Sequence, residues 1–255
     1  MRAPQSNLPQ VAADILLRIR ERAPRVHCIT NTVAQAFTAN VLLATGAVPS
    51  MTIAPEEIAA FVSGAGGLLV NLGTFDAERR TAIDIAVSTG NLRVPWVLDP
   101  VFIDRSVARR DYARALVGQS PAAVRLNRAE FGALSDGTSE LQDLARYASQ
   151  HSTVVGLTGA TDLVSDGARH VEINNGTPLM SRVTAMGCAG SAVVAACLAV
   201  EADSWAATAA GVLLLGVAGE VAAEHARGPG SFSFAIVDAL YGLDEEMLLQ
   251  RARVY

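Results

Sequence analysis

The chain contains no lysine: all 20 of its basic residues are arginine. That absence removes the Walker P-loop, which needs Gly-Lys-Ser/Thr, and every mechanism that runs through a lysine Schiff base. Gly-x-Ser-x-Gly is missing too, so no serine sits on a nucleophile elbow. Gly-x-Gly-x-x-Gly is missing, which leaves a dinucleotide dehydrogenase with little support. Cysteine is scarce. Cys28, Cys188 and Cys197 are scattered and odd in number, with neither a disulfide framework nor a zinc spacing, which points to a reducing cytoplasm. The four histidines (27, 151, 170, 225) have no metal-ligand spacing either, and His27 reads as a packing or supporting group. No long basic run occurs and the net charge is −5, so a nucleic-acid partner is not expected. No signal-peptide apolar core precedes Pro24. The most apolar stretch, 206–219, is short, rich in Ala and Gly, and closed by Glu220. It reads as a buried helix and not as a membrane span.

What is present is apolar surface to bury. Hydrophobic residues make up 51% of the chain and charged residues 18%, enough for one large domain over 1–255 with little room for disorder. Strands are predicted at 26–30, 47–51, 67–72, 94–98, 122–126 and 153–157. A hairpin follows at 162–165 and 169–173, turning at Asp166-Gly167. Helices are predicted at 11–22, 34–45, 77–89 and 141–150, with a start at Ala54-Pro-Glu-Glu. Two long Ala-rich helices follow Cys188, and a last one spans 233–243. This alternation argues for an α/β fold, a mostly parallel sheet with helices on both faces. Ligands bind such sheets at the carboxyl ends of the strands. Asn31, Met51, Gly73, Asp99, Asn127, Thr158 and Cys188 all fall at or just past predicted strand ends, so they should converge on one rim.

The stretch Val183-Thr-Ala-Met-Gly-Cys-Ala-Gly-Ser-Ala192 brings glycines, a thiol and a helix start together. Unpaired amides and the helix dipole make such a start a place for an anion, and the same field favours thiolate at Cys188. A small buried hydrophobe at a tight helix–sheet contact is the plainer reading of the same cysteine. Asp99, before a proline, and Glu130, in the first turn after a strand, could share a hydrated Mg²⁺; equally, they are a turn former and a helix-start charge. Arg125 could neutralise a phosphate or be a strand-edge surface charge. Thr158-Gly159 could place a hydroxyl against a nucleotide or be an ordinary strand exit. Met51 could line an apolar substrate pocket or fill the core.

Seven motifs carry a resemblance: Val26-His-Cys-Ile-Thr-Asn31, Val70-Asn-Leu-Gly-Thr74, Val97-Leu-Asp-Pro-Val101, Arg125-Leu-Asn-Arg-Ala-Glu130, Val183-Thr-Ala-Met-Gly-Cys188, Ala218-Gly-Glu220 and Gly228-Pro-Gly-Ser-Phe232. In this order they resemble the hydroxyethylthiazole kinase family, over roughly 11–243. The resemblance implies a ribokinase-like fold without a lid domain, and a cytoplasmic homotrimer with active sites between subunits. It implies transfer of the ATP γ-phosphate to the alcohol of 4-methyl-5-(2-hydroxyethyl)thiazole in thiamine salvage, with Mg²⁺. It places Cys188 where most ribokinase-like enzymes have a catalytic Asp. Asp99 and Glu130 fall in the Mg²⁺ region, and Arg125, Thr158 and Gly187 on the ATP side. Met51 and Ala185, with Asn31 and Gly73 nearby, fall on the thiazole side.

The chain departs from the family on the phosphate side. Ala185 stands where the family usually has Gly, Met186 where it has Thr or Ala, and Leu126 where it has Gly. Phe102-Ile-Asp-Arg105 replaces a glycine-rich segment. If position 185 takes a positive φ, alanine is strained there. These changes keep two other readings open: a binding protein of the same fold that transfers phosphate poorly, and a kinase for another small hydroxylated heterocycle.

Overall fold

The run Gly67–Asn71 is buried along its whole length, as suits an interior strand covered by helices on both faces. In the computed structural model, residues 7–88, 94–138 and 140–255 are described. Eight strands form one sheet in the order β2-β1-β3-β4-β5-β6-β7-β8. They are β1 (Arg25–Ile29), β2 (Val48–Ser50), β3 (Gly67–Asn71), β4 (Trp96–Asp99), β5 (Ala123–Asn127), β6 (Val154–Thr158), β7 (Asp162–Ser165) and β8 (His170–Ile173). The first six are parallel, and β7 and β8 complete the sheet antiparallel, as the Asp166-Gly167 turn signal predicted.

The strand order reverses between β1 and β3, because β2 lies on one side of β1 and every later strand on the other. The loops leaving β1 and β3 therefore diverge, and a crevice opens at the carboxyl ends of the two strands.

Helices α1 (Leu8–Arg22), α2 (Gln35–Thr45), α8 (Met186–Leu198), α9 (Ser204–His225), α10 (Pro229–Gly242) and α11 (Glu245–Arg251) enclose one core with Val26, Cys28, Leu69 and Val97. Helices α3 (Pro55–Ser63), α4 (Ala77–Ser88), α5 (Val107–Val117), α6 (Arg128–Ser135) and α7 (Leu141–His151) enclose the other with Ile29, Leu68, Val70 and Leu98. Adjacent strand residues thus divide between the two faces, as a period of two requires. Helix α9 is long and apolar enough to cross a membrane, but most of it is buried among its neighbours, as the short apolar stretch predicted.

Several boundaries differ from the sequence reading. The helix expected from roughly Gly187, after an extended Val183-Thr184, begins at Met186 as α8, and Val183-Thr184 enters it as a turn out of a short 3₁₀ helix (Pro178–Arg182). The last predicted helix starts four residues early, at Pro229, because proline favours a first helical position. Helices α5 and α11 were not predicted. The predicted end of α4, Thr89, lies outside the described residues.

Candidate active site

Helix α8 packs on β1, β3 and β4, which brings its first turn over the crevice. That turn has no side-chain cap, and Ala185 enters it at φ 69°, ψ −2°. The amides of Met186, Gly187 and Cys188 are therefore not claimed by a capping side chain. The positive φ expected at position 185 is present, and here an alanine carries it.

Around this turn the strand ends deliver their polar residues. Asn31, after β1, donates its Nδ2 to Cys188 Sγ at 3.1 Å. Its Oδ1 is buried and has no partner. Gly73, after β3, is in contact with Asn31: a Cβ there would lie 2.6 Å from Asn31 Nδ2, so only glycine lets the two loops meet. Asn71, inside β3, accepts from the Gly73 amide at 2.9 Å and donates to Asp99 Oδ2 at 2.7 Å. Ser191, one turn into α8 and fully buried, donates to the same Asp99 oxygen at 2.9 Å. Arg125 crosses from β5 to donate to Gly187 O at 2.8 Å and Ser191 Oγ at 3.4 Å. A Cβ on Gly190 would lie 2.8 Å from Arg125 Nη2, so that glycine gives the guanidinium its path along α8. The strand-edge surface-charge reading of Arg125 is therefore excluded.

Cys188 corrects the electrostatic expectation. The helix field should lower a thiol pKa, but burial and then the nearby Asp99 charge push this one up to about 12. Desolvation outweighs the dipole, and the thiol is neutral near pH 7. Asp99 is also pushed above the usual carboxylate range by burial, against Arg125, Ser191 and Asn71, which pull it down. Glu130 is raised by burial and, more weakly, by Asp99 and Asp104.

Glu130 does two jobs. Its Oε2 accepts the Asn127 amide at 2.9 Å while Asn127 Oδ1 accepts the Glu130 amide at 2.9 Å, a capping box that starts α6. Its Oε1 accepts the Phe102 amide at 3.0 Å and holds the loop after β4. In that loop Phe102 takes φ 60° and is half exposed, with the Arg105 guanidinium 5.5 Å above its ring. Among the described residues no three His, Cys, Asp or Glu gather into a metal cage. Two buried carboxylates, of which Asp99 raises the proton affinity of Glu130, do fit a hydrated Mg²⁺, which uses one or two carboxylates and takes its remaining ligands from water and phosphates.

Beside α8 a cleft of about 620 Å³ is lined by polar residues, among them Arg125, Asn127 and Thr158, by Gly187, and by apolar ones, among them Pro178, Met180, Val212 and Leu215. Thr158 donates its hydroxyl to Leu126 O at 3.3 Å at the cleft wall. Met51, after β2, is half-buried and packs against the α2 side of the core.

The sequence reading missed three supporting residues. Asn71 was readable as the lone amide in an apolar run, and Ser191 as a hydroxyl three residues after Cys188. Arg109, on the unpredicted α5, had no signal. It donates to Leu72 O at 2.7 Å, Val101 O at 3.1 Å and Gly73 O at 3.1 Å, and so ties the loops after β3 and β4 together.

The model of the hydroxyethylthiazole kinase family matches residues 16–246. The chain belongs to that family. A probable hydroxyethylthiazole kinase of Agrobacterium fabrum is 44% identical over 244 residues, which cover 95% of this chain and 94% of that protein. The structure of a hydroxyethylthiazole kinase protein from Pyrococcus horikoshii OT3 superimposes with a TM-score of 0.92 at 35% identity, over 96% of this chain and 98% of that one. Among more distant members of the same fold, the pyridoxal kinase from Staphylococcus aureus in complex with ADP superimposes at a TM-score of 0.64, over 78% of this chain and 88% of that one. At 15% identity that likeness is one of fold alone. The family's ribokinase-like architecture is the one described above, and Asn31, Asn71, Gly73, Asp99, Arg125 and Cys188 come from the motifs that carried the resemblance, whereas Ser191 and Arg109 lie outside them.

Proposed function

We propose that this chain transfers the γ-phosphate of ATP to the hydroxyl of 4-methyl-5-(2-hydroxyethyl)thiazole in thiamine salvage. The observation that carries the mechanism is the uncapped start of α8, set between two different surroundings. On one side lie Asn31, Gly73 and Cys188; on the other, the cleft with Arg125 and Thr158.

Phosphoryl transfer asks a protein for positioning and for neutralised charge more than for covalent chemistry. The Met186, Gly187 and Cys188 amides meet the equatorial oxygens of the moving phosphoryl group, with donors already oriented. Arg125 adds a guanidinium beside Gly187. Asn31 Oδ1, buried and unpartnered, accepts a hydrogen bond from the acceptor hydroxyl and aims its oxygen. Cys188 acts as a neutral thiol held by Asn31, orienting the nucleophile and not removing its proton beforehand. A loose transition state needs little charge on the attacking oxygen, so the proton can leave late, to an oxygen of the phosphoryl group as it is transferred and from there to water. Met51 and Ala185 border the thiazole side. Asp99 and Glu130 would hold Mg²⁺, which when bound supplies charge neutralisation to the polyphosphate.

The family's homotrimer is proposed for this chain as well. Exposed Val33, Leu43, Val48 and Phe61 sit on elements that flank β1 and β2 and offer apolar surface for a subunit contact. Three buried free thiols suit a reducing cytoplasm. The strain at Phe102 and Ala185 removes no polar group from the site, so the binding-only reading is not favoured.

The test is ATP consumption with the thiazole alcohol, read by product mass. The phosphate ester is expected; intact thiazole binding without turnover at saturating Mg·ATP would overturn the reading. Cys188→Ala should lower kcat about tenfold, the scale of one lost hydrogen bond. A loss of about a thousandfold would mark the thiol as a general base instead. Asp99→Ala should shift the Mg²⁺ dependence, and an unchanged dependence would remove Asp99 from the metal site.

A further inference from the structure

The Ala218-Gly-Glu220 motif has no part in the transfer just described, yet its carboxylate is among the most heavily engaged in the molecule. Glu220, late in α9, accepts the Gly176 amide at 2.8 Å on Oε1 and Asn175 Nδ2 at 3.2 Å on Oε2. Arg253 pairs with both oxygens and also donates to Asn174 O. Asn175 is itself buried and fully used: its Nδ2 also reaches Arg251 O at 2.8 Å, and its Oδ1 accepts the Arg253 amide at 2.7 Å.

The face of α9 that carries Glu220 is cut to receive this loop. Gly219 and Glu220 lie three and four residues after Gly216, a single patch of helix surface. A Cβ on Gly216 would lie 2.9 Å from both Cβ and O of Asn175, and one on Gly219 would lie 2.8 Å from Met180 Sδ. The loop is held down by two glycine gaps and one carboxylate, and Gly176 turns it at φ 137°. The loop residues Asn175, Gly176, Thr177, Pro178 and Met180 also line the 620 Å³ cleft.

We infer that Glu220 is a positioning residue for the nucleotide. With Gly216 it sets the height of the 175–178 wall, and Arg253 cancels its charge so that no bare carboxylate stands near a polyphosphate. The inference rests on the reading of this cleft as the ATP site. The acceptor side, around Asn31 and Cys188, is built by other loops and does not depend on it.

Steady-state kinetics on the full chain test this, with both substrates varied. Glu220→Gln removes the pairing with Arg253 and one of the acceptors. It should raise the KM for ATP about tenfold, the loss of one charge-assisted hydrogen bond. The kcat and the KM for the thiazole alcohol should stay within about twofold. Gly216→Ala pushes the same wall from beneath and should act in the same direction, which keeps the proposal testable if a Glu220 variant folds poorly. Affinity for ADP by calorimetry should fall in step. A parallel rise in both KM values, a fall in kcat alone, or no change would overturn the positioning role. Thr158→Val, measured alongside, separates two failures. If it too leaves the KM for ATP unmoved, the cleft is not the nucleotide site; if it raises that KM while the Glu220 and Gly216 variants do not, only the role of Glu220 falls.

Discussion

At the scale of single residues, the site is governed by how much each side chain loses on leaving water. Cys188 shows the ranking. A helix start favours thiolate by a modest amount, but the thiol is buried next to a carboxylate, and its pKa rises to about 12. Ala185 shows a different cost. At φ 69° a Cβ crowds the backbone, so Ala185→Gly should stabilise the protein by about 1 kcal/mol. In a chain of this size that is a rise in Tm of about 2–4 °C by calorimetry. His27 is fully buried on β1, with Nδ1 2.8 Å from Ser50 Oγ and Nε2 unpartnered. Burial depresses its pKa to about 4. Below pH 6.5 the unfolded chain takes up a proton that the folded chain refuses. The stability that His27 contributes is therefore whole above pH 6.5 and is lost as pH falls towards 4, by about 3 kcal/mol in all. Urea unfolding at pH 7 and pH 4.5 should show a smaller pH-dependent loss in His27→Gln than in the parent. Equal losses would mean that His27 titrates normally.

At the scale of elements, the decisive contact is α8 lying across β3 and β4. It is close because Gly67 has no side chain: a methyl there would overlap the carbonyl oxygen of Ala195 in α8. Gly67→Ala should therefore cost about 3 kcal/mol in urea unfolding, the upper range of core overpacking, since backbone and not a flexible side chain is in the way. A loss under about 1 kcal/mol would show that α8 can shift without harm. The same scale shows what the residue pattern could and could not reveal. The largely apolar, fully buried β3 and the hairpin turn at Asp166-Gly167 were readable because burial and turn chemistry are local. Helix α5 was not. Its sequence carries four charged residues in eleven and only Ala113, Leu116 and Val117 reach the core, so its apolar stripe is too thin to mark the element. The last helix was expected from residue 233, after Gly228-Pro-Gly-Ser-Phe232, but the proline begins α10, and packing on α9 carries two glycines into a helix.

At the scale of the whole molecule, the strand order places the chemistry. Because β1 and β3 are neighbours while their following loops part, Asn31 and Gly73 meet under the start of α8. The proposed trimer would bury exposed apolar residues such as Val33 and Leu43 in its subunit contacts. Sedimentation equilibrium should then return about 80 kDa, three chains of 26.6 kDa, and Leu43→Asp should lower both the mass and the turnover. A monomer with full activity would remove the shared-site reading.

Residue order alone pointed to an α/β protein resembling the hydroxyethylthiazole kinase family and placed Asn31, Gly73, Asp99 and Thr158 at or just past strand ends; Cys188, expected at a strand end as well, instead follows a 3₁₀ helix and a turn. Those features follow from local periodicity and from motifs whose spacing survives without coordinates. Only the tertiary structure decided the state of the thiol, the path of Arg125 along α8, the bracing of Asp99 by Asn71 and Ser191, and the work of Glu220. Each of these depends on what lies across the fold from a residue and on how much water is left around it, and neither quantity is written in the residue's own stretch of chain.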